Sequence, residues 1–130
     1  ITRYTGGTNA RILNSSPGNW LHGHWGGFRG VAYYEGWKTN QANVGSLTNW
    51  LVMCGNNSTT PIPNNILVDS VAKGTVTGGT GGYTLTINNG YAEPSNWSFT
   101  YMVIYDTQLT DAEMLTVSNK LLSYLQNGYM

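Results

Sequence analysis

The chain has 130 residues, of which 9% are charged, and its six basic and six acidic side chains give a formal net charge of zero. This balance argues against a basic nucleic-acid interface and a polybasic membrane patch, and the 40% hydrophobic content argues against charge-driven disorder. The apolar runs are shorter than the roughly 18 residues that a membrane-spanning helix needs, so no membrane insertion is predicted. One domain is predicted over residues 1–130.

The first half of the chain predicts short strands separated by glycine, asparagine and proline. The strand candidates, in chain order, are 1–4, 10–13, 20–25, 30–37 and 48–54. The last of them is nearly continuously apolar, which is typical of a strand covered on both faces. A long polar connection through Ser46 precedes it, and a loop with two prolines over 56–64 follows it.

Three more strands are predicted in the second half, over 65–71, 83–87 and 97–105. The glycine-rich run 78–82 and the turn signal 88–90 separate them, since glycine adopts turn conformations at no steric cost. The stretch 97–105 is the longest candidate, and alternation places its aromatic residues and Val103 on one face.

A helix is predicted over about 110–126. It begins with the capping-box pattern, in which Thr110 accepts from a free backbone N–H and Glu113 reaches back. The apolar residues that then recur at helical spacing are Met114, Val117, Leu121 and Leu125. Short strands followed by one amphipathic helix predict an all-β, antiparallel β-sandwich with one C-terminal α-helix.

Two groups of short motifs carry a family resemblance. The first group is Arg11-Ile12-Leu13, Asn19-Trp20-Leu21-His22-Gly23-His24-Trp25-Gly26-Gly27 and Ala32-Tyr33-Tyr34-Glu35-Gly36-Trp37. The second is Ser95-Asn96-Trp97, Val103-Ile104-Tyr105-Asp106, Leu109-Thr110-Asp111-Ala112-Glu113-Met114 and Tyr124-Leu125. Together they resemble the laminin-G-like branch of the concanavalin A-like lectin/glucanase superfamily.

The resemblance implies a concanavalin A-like jelly roll, built from two antiparallel sheets and found mostly in extracellular sugar-binding or adhesive modules. The opening strands of that domain have no counterpart before Ile1, so we expect an open edge that could receive a strand from a neighbouring chain or from a segment outside this sequence. A processed or partial chain would explain the start at Ile1. The family's calcium-binding acids have no match here, so neither calcium nor another cofactor is predicted.

The segment 20–37 concentrates the side-chain types that bind carbohydrate. Aromatic rings offer flat apolar faces to a pyranose, while Asn, Glu and His side chains hydrogen-bond its hydroxyls. The candidate carbohydrate-binding residues are Trp20, His22, His24, Trp25, Tyr33, Tyr34, Glu35 and Trp37. A small sandwich needs the same aromatic residues for its core, so burial is the alternative interpretation of each.

Catalysis and metal binding have weaker support. Glycoside hydrolysis needs two carboxylates flanking the bond, and among the six acids only Glu35 lies among aromatic residues. No catalytic residue is therefore predicted, and the chain is not expected to be an enzyme. His22 and His24 point the same way in a strand and could share an ion, but zinc needs a further ligand, so a structural strand is the favoured interpretation and no metal site is predicted.

Four asparagines and one cysteine are further candidates for modification or reactivity. Asn-x-Ser/Thr sequons make Asn14, Asn56, Asn57 and Asn96 candidate glycosylation sites in a secretory host. The single cysteine, Cys54, lies in an apolar run and is interpreted as a buried, inert thiol.

Two functions follow from these observations. The first is a non-enzymatic, extracellular or cell-surface lectin-like module whose partners are glycans or glycoproteins. The alternative is a structural subunit of an extracellular filament, a cell-surface layer or a virion, whose partners are copies of itself or a neighbouring chain. Zero net charge favours association, which supports the alternative.

Overall fold

The computed structural model describes residues 1–39, 45–89 and 92–128. Within these ranges the chain forms three antiparallel sheets and a C-terminal helix, which confirms the predicted all-β class with one helix. The predicted turn at 88–90 and the polar connection through Ser46 lie partly outside the described residues. The elements are β1 (Thr2–Tyr4), β2 (Leu13–Ser16), β3 (Trp20–Trp25), β4 (Phe28–Tyr34), β5 (Met53–Gly55), β6 (Ile66–Val68), β7 (Val71–Ala72), β8 (Thr84–Ile87), β9 (Trp97–Phe99) and α1 (Asp111–Asn127).

The largest sheet has the strand order β4-β3-β2-β8 and is built around the β3–β4 hairpin. Trp25 pairs with Phe28 across a two-residue turn, and both turn residues, Gly26 and Gly27, have positive φ angles of 59° and 83°. Positive φ at both positions is the requirement of a type I′ hairpin turn, which glycine meets without strain. The register shifts by one residue where Gly30 forms a bulge in β4.

The other two sheets have the orders β1-β9 and β5-β6-β7. The stretch 65–71, predicted as one strand, is a hairpin, because Asp69 and Ser70 adopt positive φ angles of 48° and 65° and reverse the chain between β6 and β7. An isolated bridge between Thr2 and Leu51 links β1 to the segment that leads into β5.

Two predicted strands are much shorter than expected. Of 48–54, only Met53 and Cys54 belong to a strand, with Leu51 held by its isolated bridge. Of 97–105, only β9 is a strand, and 100–105 runs on without regular pairing among the described residues. The alternation of apolar residues is present in both cases, but a strand also needs a neighbour to pair with.

The densest part of the core lies between the β3–β4 hairpin and the β5–β6 pair. It is a cluster of buried side chains, onto which Trp20, Met53 and Val76 also pack. The cluster consists of Ala32, Tyr34, Leu51, Ile66 and Val68. Side chains from two separate sheets therefore meet face to face there, as in layered β folds.

Helix α1 packs against β5 and β6. Its capping box is formed as predicted, with Thr110 as N-cap and Glu113 reaching back, and Gly128 ends it in the left-handed conformation. Met114 and Ser118 are its buried residues, and the Ser118 hydroxyl lies 3.1 Å from that of Ser70. Among the described residues, no helix is long and apolar enough to cross a membrane.

A cavity of about 570 Å³ opens between the largest sheet, the segment 101–109 and the apolar stripe of α1. Trp20 and His22 line it from the sheet, and Val117 and Leu121 line it from the helix. The tightly packed cluster and this cavity therefore lie side by side in one small molecule.

Candidate functional site

The β3–β4 hairpin carries most of the residues predicted to bind carbohydrate. Its register pairs Trp20 with Tyr34 and Leu21 with Tyr33. Because neighbouring residues of a strand point to opposite faces, Tyr33 and Tyr34 lie on different sides of the sheet. The eight candidates are accordingly divided between two faces and the loop that follows β4.

One face carries a stack of three rings. Trp20 lies over Tyr34, with ring centroids 5.1 Å apart and planes within 10° of each other, and His22 stacks on Trp20 at 5.9 Å. The Tyr34 hydroxyl is 2.6 Å from Nδ1 of His22. This stack faces the large cavity and the core, so Tyr34 is almost fully buried.

The buried stack is neutral at pH 7. Burial lowers the pKa of His22 to about 4, and a hydrogen bond with the Met53 backbone only partly opposes that shift. Burial also raises the pKa of Tyr34 far above its ordinary value. A neutral imidazole with an unprotonated Nδ1 accepts the Tyr34 O–H, so the two polar groups satisfy each other.

His24 is enclosed at the end of β3. Its ring meets Tyr4 edge-on at 4.6 Å, and its Nδ1 is 3.3 Å from the Thr2 hydroxyl. Burial, and secondarily the charge of Arg29, lowers the pKa of His24 to about 3. Since the side chain has no exposed surface, it cannot touch a ligand in the folded chain.

The other face of the hairpin carries a cluster of three rings at the surface. Trp37 contacts Trp25, with centroids 5.4 Å apart and a 57° tilt, and meets Tyr33 edge-on at 5.2 Å. The chain turns back after Glu35, so that the Tyr34 N–H donates to the Gly36 carbonyl at 3.0 Å. Trp37 remains 43% exposed, the largest ring surface among the eight candidates. Trp25, Tyr33 and Trp37 are called the outer ring cluster below.

Glu35 is exposed and holds the glycine-rich run in place. Its carboxylate accepts from the Thr80 backbone N–H at 3.0 Å and from the Thr80 hydroxyl at 2.7 Å. The pKa of Glu35 is lowered, first by a hydrogen bond from the Tyr83 side chain and then by those from Thr80. Neither partner could be predicted from the sequence, in which both residues stand out only by lying next to glycines.

A smaller cavity of about 220 Å³ lies beside the glycine-rich run that Glu35 holds. Tyr83 and Trp20 provide its aromatic walls, and Asn57 and Ser15 its polar side chains. The loop residue Asn57 therefore lines the same cavity as Trp20, one of the candidate aromatic residues.

The four sequon asparagines have different surroundings. Asn14 is fully buried in β2, and Asn56 is mostly buried and donates to the Leu109 carbonyl at 2.8 Å. Asn57 and Asn96 are exposed, and Asn96 accepts from the Thr8 backbone N–H at 2.8 Å. Only the last two side chains are accessible for modification in the folded chain.

Neither a metal cluster nor a reactive thiol is evident in the described ranges. No group of three or more His, Cys, Asp or Glu side chains is arranged there to hold an ion. Cys54 is partly buried at the cavity wall, and burial raises its pKa, which favours the unreactive thiol.

Comparisons with protein-family models, with curated proteins and with solved structures find no match to the chain.

Proposed function

We propose that the chain is a non-enzymatic, lectin-like module that binds glycans or glycoproteins at a cell surface or outside the cell. The observation that carries this proposal is the outer ring cluster, in which Trp25, Tyr33 and Trp37 meet at the surface of one hairpin. The exposed Trp37 ring, backed by two half-buried rings, suits the apolar face of a sugar ring, and rings already packed against one another lose little conformational entropy on binding.

For the fold, we propose a jelly-roll sandwich of the laminin-G-like, concanavalin A-like type. The strand order β4-β3-β2-β8 and the face-to-face contact of this sheet with β5 and β6 support it. A capped helix after the last strand agrees with the same architecture.

The absence of catalysis is supported by the contacts of the carboxylates. Glu35 binds Thr80, and Asp69 and Glu93 pair with arginines. Asp111 and Glu113 lie at the helix N-terminus, where the first accepts from the Asn64 N–H and the second completes the capping box. Because these roles occupy five of the six acids, any hydrolytic pair of carboxylates would have to include at least one of them.

Glycan-array screening followed by calorimetry tests the carbohydrate proposal. We expect Trp37→Ala to weaken binding of the best glycan by at least about tenfold, because the most exposed ring of the cluster is lost. Tyr101→Ala is the matched control, since Tyr101 is 41% exposed but follows β9, away from the outer ring cluster, and glycan binding by this variant should be unchanged. No binding at millimolar concentrations by the folded wild-type chain would refute the proposal.

A second candidate function, a structural subunit of a filament, surface layer or virion, is favoured by a different observation. Residues 101–105 are all apolar or aromatic, and each is at least 40% exposed. A contiguous exposed apolar segment on a chain without net charge is typical of a surface that another protein covers. Electron microscopy of concentrated protein should then show ordered assemblies, and a clean monomer would count against this function.

A further inference from the structure

The segment 101–105 continues β9 beyond the end of its partner strand. In the β1–β9 ladder Thr2 faces Phe99, the Thr100 N–H donates to the Ile1 carbonyl at 3.1 Å, and the Ile1 amine donates to the Tyr101 carbonyl. From Met102 to Tyr105 the backbone finds no hydrogen-bond partner among the described residues. A row of unpaired backbone groups at a sheet edge is a template for pairing with another strand.

The side chains of this segment are unusually apolar for such an exposed position. Their exposed fractions are 41% for Tyr101, 42% for Met102, 40% for Val103, 71% for Ile104 and 48% for Tyr105. The whole stretch from 94 to 105 contains no charged residue, so two copies of it can approach without like-charge repulsion.

The segment is also nearly symmetric about its centre. It reads Tyr-Met-Val-Ile-Tyr, with Val103 in the middle, a Tyr at each end, and two apolar residues of similar size between. In an antiparallel pair of identical segments, such symmetry places like beside like. This symmetry, together with the unpaired backbone of Met102 to Tyr105, favours a second copy of the same segment as the partner strand.

We propose that 101–105 pairs antiparallel with the same segment of a second copy, across a two-fold axis at Val103. Tyr101 then lies opposite Tyr105 of the second copy, and Met102 opposite its Ile104. The contact is isologous, as most dimer contacts are. This inference rests on the second candidate function and supplies the contact through which subunits would join.

The pairing continues a ladder that each chain already has. Pairing the 101–105 extension of β9 with its counterpart in the second copy would join two two-stranded sheets into one, with the β1 strands on the outside. Cross-strand contacts between the tyrosines and between the apolar residues then stabilise both faces of the joint sheet. The segment also borders the large cavity, so the dimer rigidifies one of its walls.

Cysteine cross-linking tests the pairing and its register. Val103→Cys is introduced in a Cys54→Ser background, because Cys54 is the only native cysteine. Residues facing each other on the axis have Cβ atoms about 4.5–5.5 Å apart, close enough for an oxidised disulfide after small adjustment. We expect a cross-linked dimer to dominate under mild oxidation. Val71→Cys is the matched control, since Val71 is 58% exposed on β7, and it should remain monomeric.

The cross-linking results distinguish the proposed contact from other contacts, from another position of the axis and from the structural function itself. Equal cross-linking of Val103→Cys and Val71→Cys, or none at 103, overturns the proposal. Stronger homodimer formation by Met102→Cys or Ile104→Cys overturns the axis at Val103. Ordered assemblies without a cross-link at 103 would keep the structural function and reject this contact, whereas a cross-link without assemblies would do the reverse.

A charge substitution gives a second, independent measurement. Val103→Lys places two like charges opposite each other on the axis, so we expect the dimer dissociation constant, from sedimentation or native mass spectrometry, to rise by at least about tenfold. Val71→Lys should leave it unchanged, and circular dichroism of both variants controls for folding. An unchanged dissociation constant for folded Val103→Lys overturns the proposal.

Discussion

Arg29 is the most deeply buried charge in the described part of the chain, with 2% of its surface exposed. Its guanidinium donates to the Trp50 carbonyl at 2.7 Å and to the Asp69 carboxylate at 3.0 Å. The second oxygen of Asp69 accepts from the Val52 backbone N–H at 3.0 Å. One carboxylate at the β6–β7 turn therefore neutralises a charge from β4 and holds the segment 50–52, which leads into β5.

Asp69→Asn should be strongly destabilising. Asparagine keeps the size of the side chain and tolerates the positive φ, but it leaves the Arg29 charge buried without its counter-ion. We expect the free energy of unfolding, from urea titration, to fall by about 2–4 kcal/mol. The exposed Asp106→Asn should change it by less than about 0.5 kcal/mol. Equal losses in the two variants would refute the role of the ion pair.

The two buried histidines should make the free energy of unfolding depend on pH. Burial lowers the pKa of His22 to about 4 and that of His24 to about 3, so the fold favours the neutral rings. Their contribution is complete above the ordinary value of 6.5 and is lost as the pH falls below it. Between pH 6.5 and 5 we expect a loss of roughly 1 kcal/mol per pH unit for each histidine, because the unfolded ring binds the proton that the buried ring excludes.

Urea titrations at pH 7.5, 6 and 5 measure this loss. His24→Gln should be less stable than the wild type at pH 7.5, since packing against Tyr4 is lost, but its stability should fall less steeply with acid. The lowered pKa values of Glu35 and Glu113 add losses only near and below pH 4.5, outside this window. Parallel pH profiles for wild type and variant would contradict the assignment.

At the scale of the element, the helix was predictable because its determinants are local. Thr110 and Glu113 are three residues apart, and their reciprocal hydrogen bonds form as the spacing requires, with the Thr110 N–H donating to Glu113 at 2.8 Å. The strand expected over 97–105 has equally clear alternation, yet pairing stops after Phe99. Alternation reports which face a residue would take, whereas a strand exists only where a partner strand lies beside it.

Thr110→Ala should shorten or weaken α1. The variant removes the oxygen that accepts from the Glu113 N–H, and we expect a loss of about 1 kcal/mol in the free energy of unfolding. Thr116→Ala is the control, because Thr116 only donates to the Ala112 carbonyl inside the helix and alanine is the better helix former. It should be neutral or stabilising by up to about 0.5 kcal/mol. Similar losses in both variants would show that capping is not the cause.

At the scale of the whole molecule, the sequence groups the candidate site residues in one stretch of the chain but does not show how they divide between the two faces of the sheet. All eight candidates are within 20–37, and the structure keeps Trp25, Tyr33 and Trp37 together. The division follows from the hairpin register, which the glycine turn and the bulge at Gly30 determine, and from the reversal after Glu35. These depend on backbone conformations at single residues, which composition and alternation do not specify.

Because the molecule is unevenly packed, a Val→Ile substitution should change the free energy of unfolding in opposite directions at two positions. Val68 has no exposed surface and belongs to the dense cluster, whereas Val117 borders the cavity of about 570 Å³. Val68→Ile must force a methylene into filled space and should cost about 1–3 kcal/mol. Val117→Ile places the same group against an apolar wall and should be neutral or stabilising by up to about 0.8 kcal/mol.

Urea titrations of both variants test this difference, at protein concentrations low enough to exclude association. Both substitutions add one methylene to a β-branched side chain, so differences in side-chain entropy nearly cancel between them. If Val117→Ile were as destabilising as Val68→Ile, the space beside the helix would have to be filled in solution. Because 101–105 forms the outer wall of that space, such a result would mean that this segment packs inward, and it would leave fewer apolar side chains for a second copy to cover.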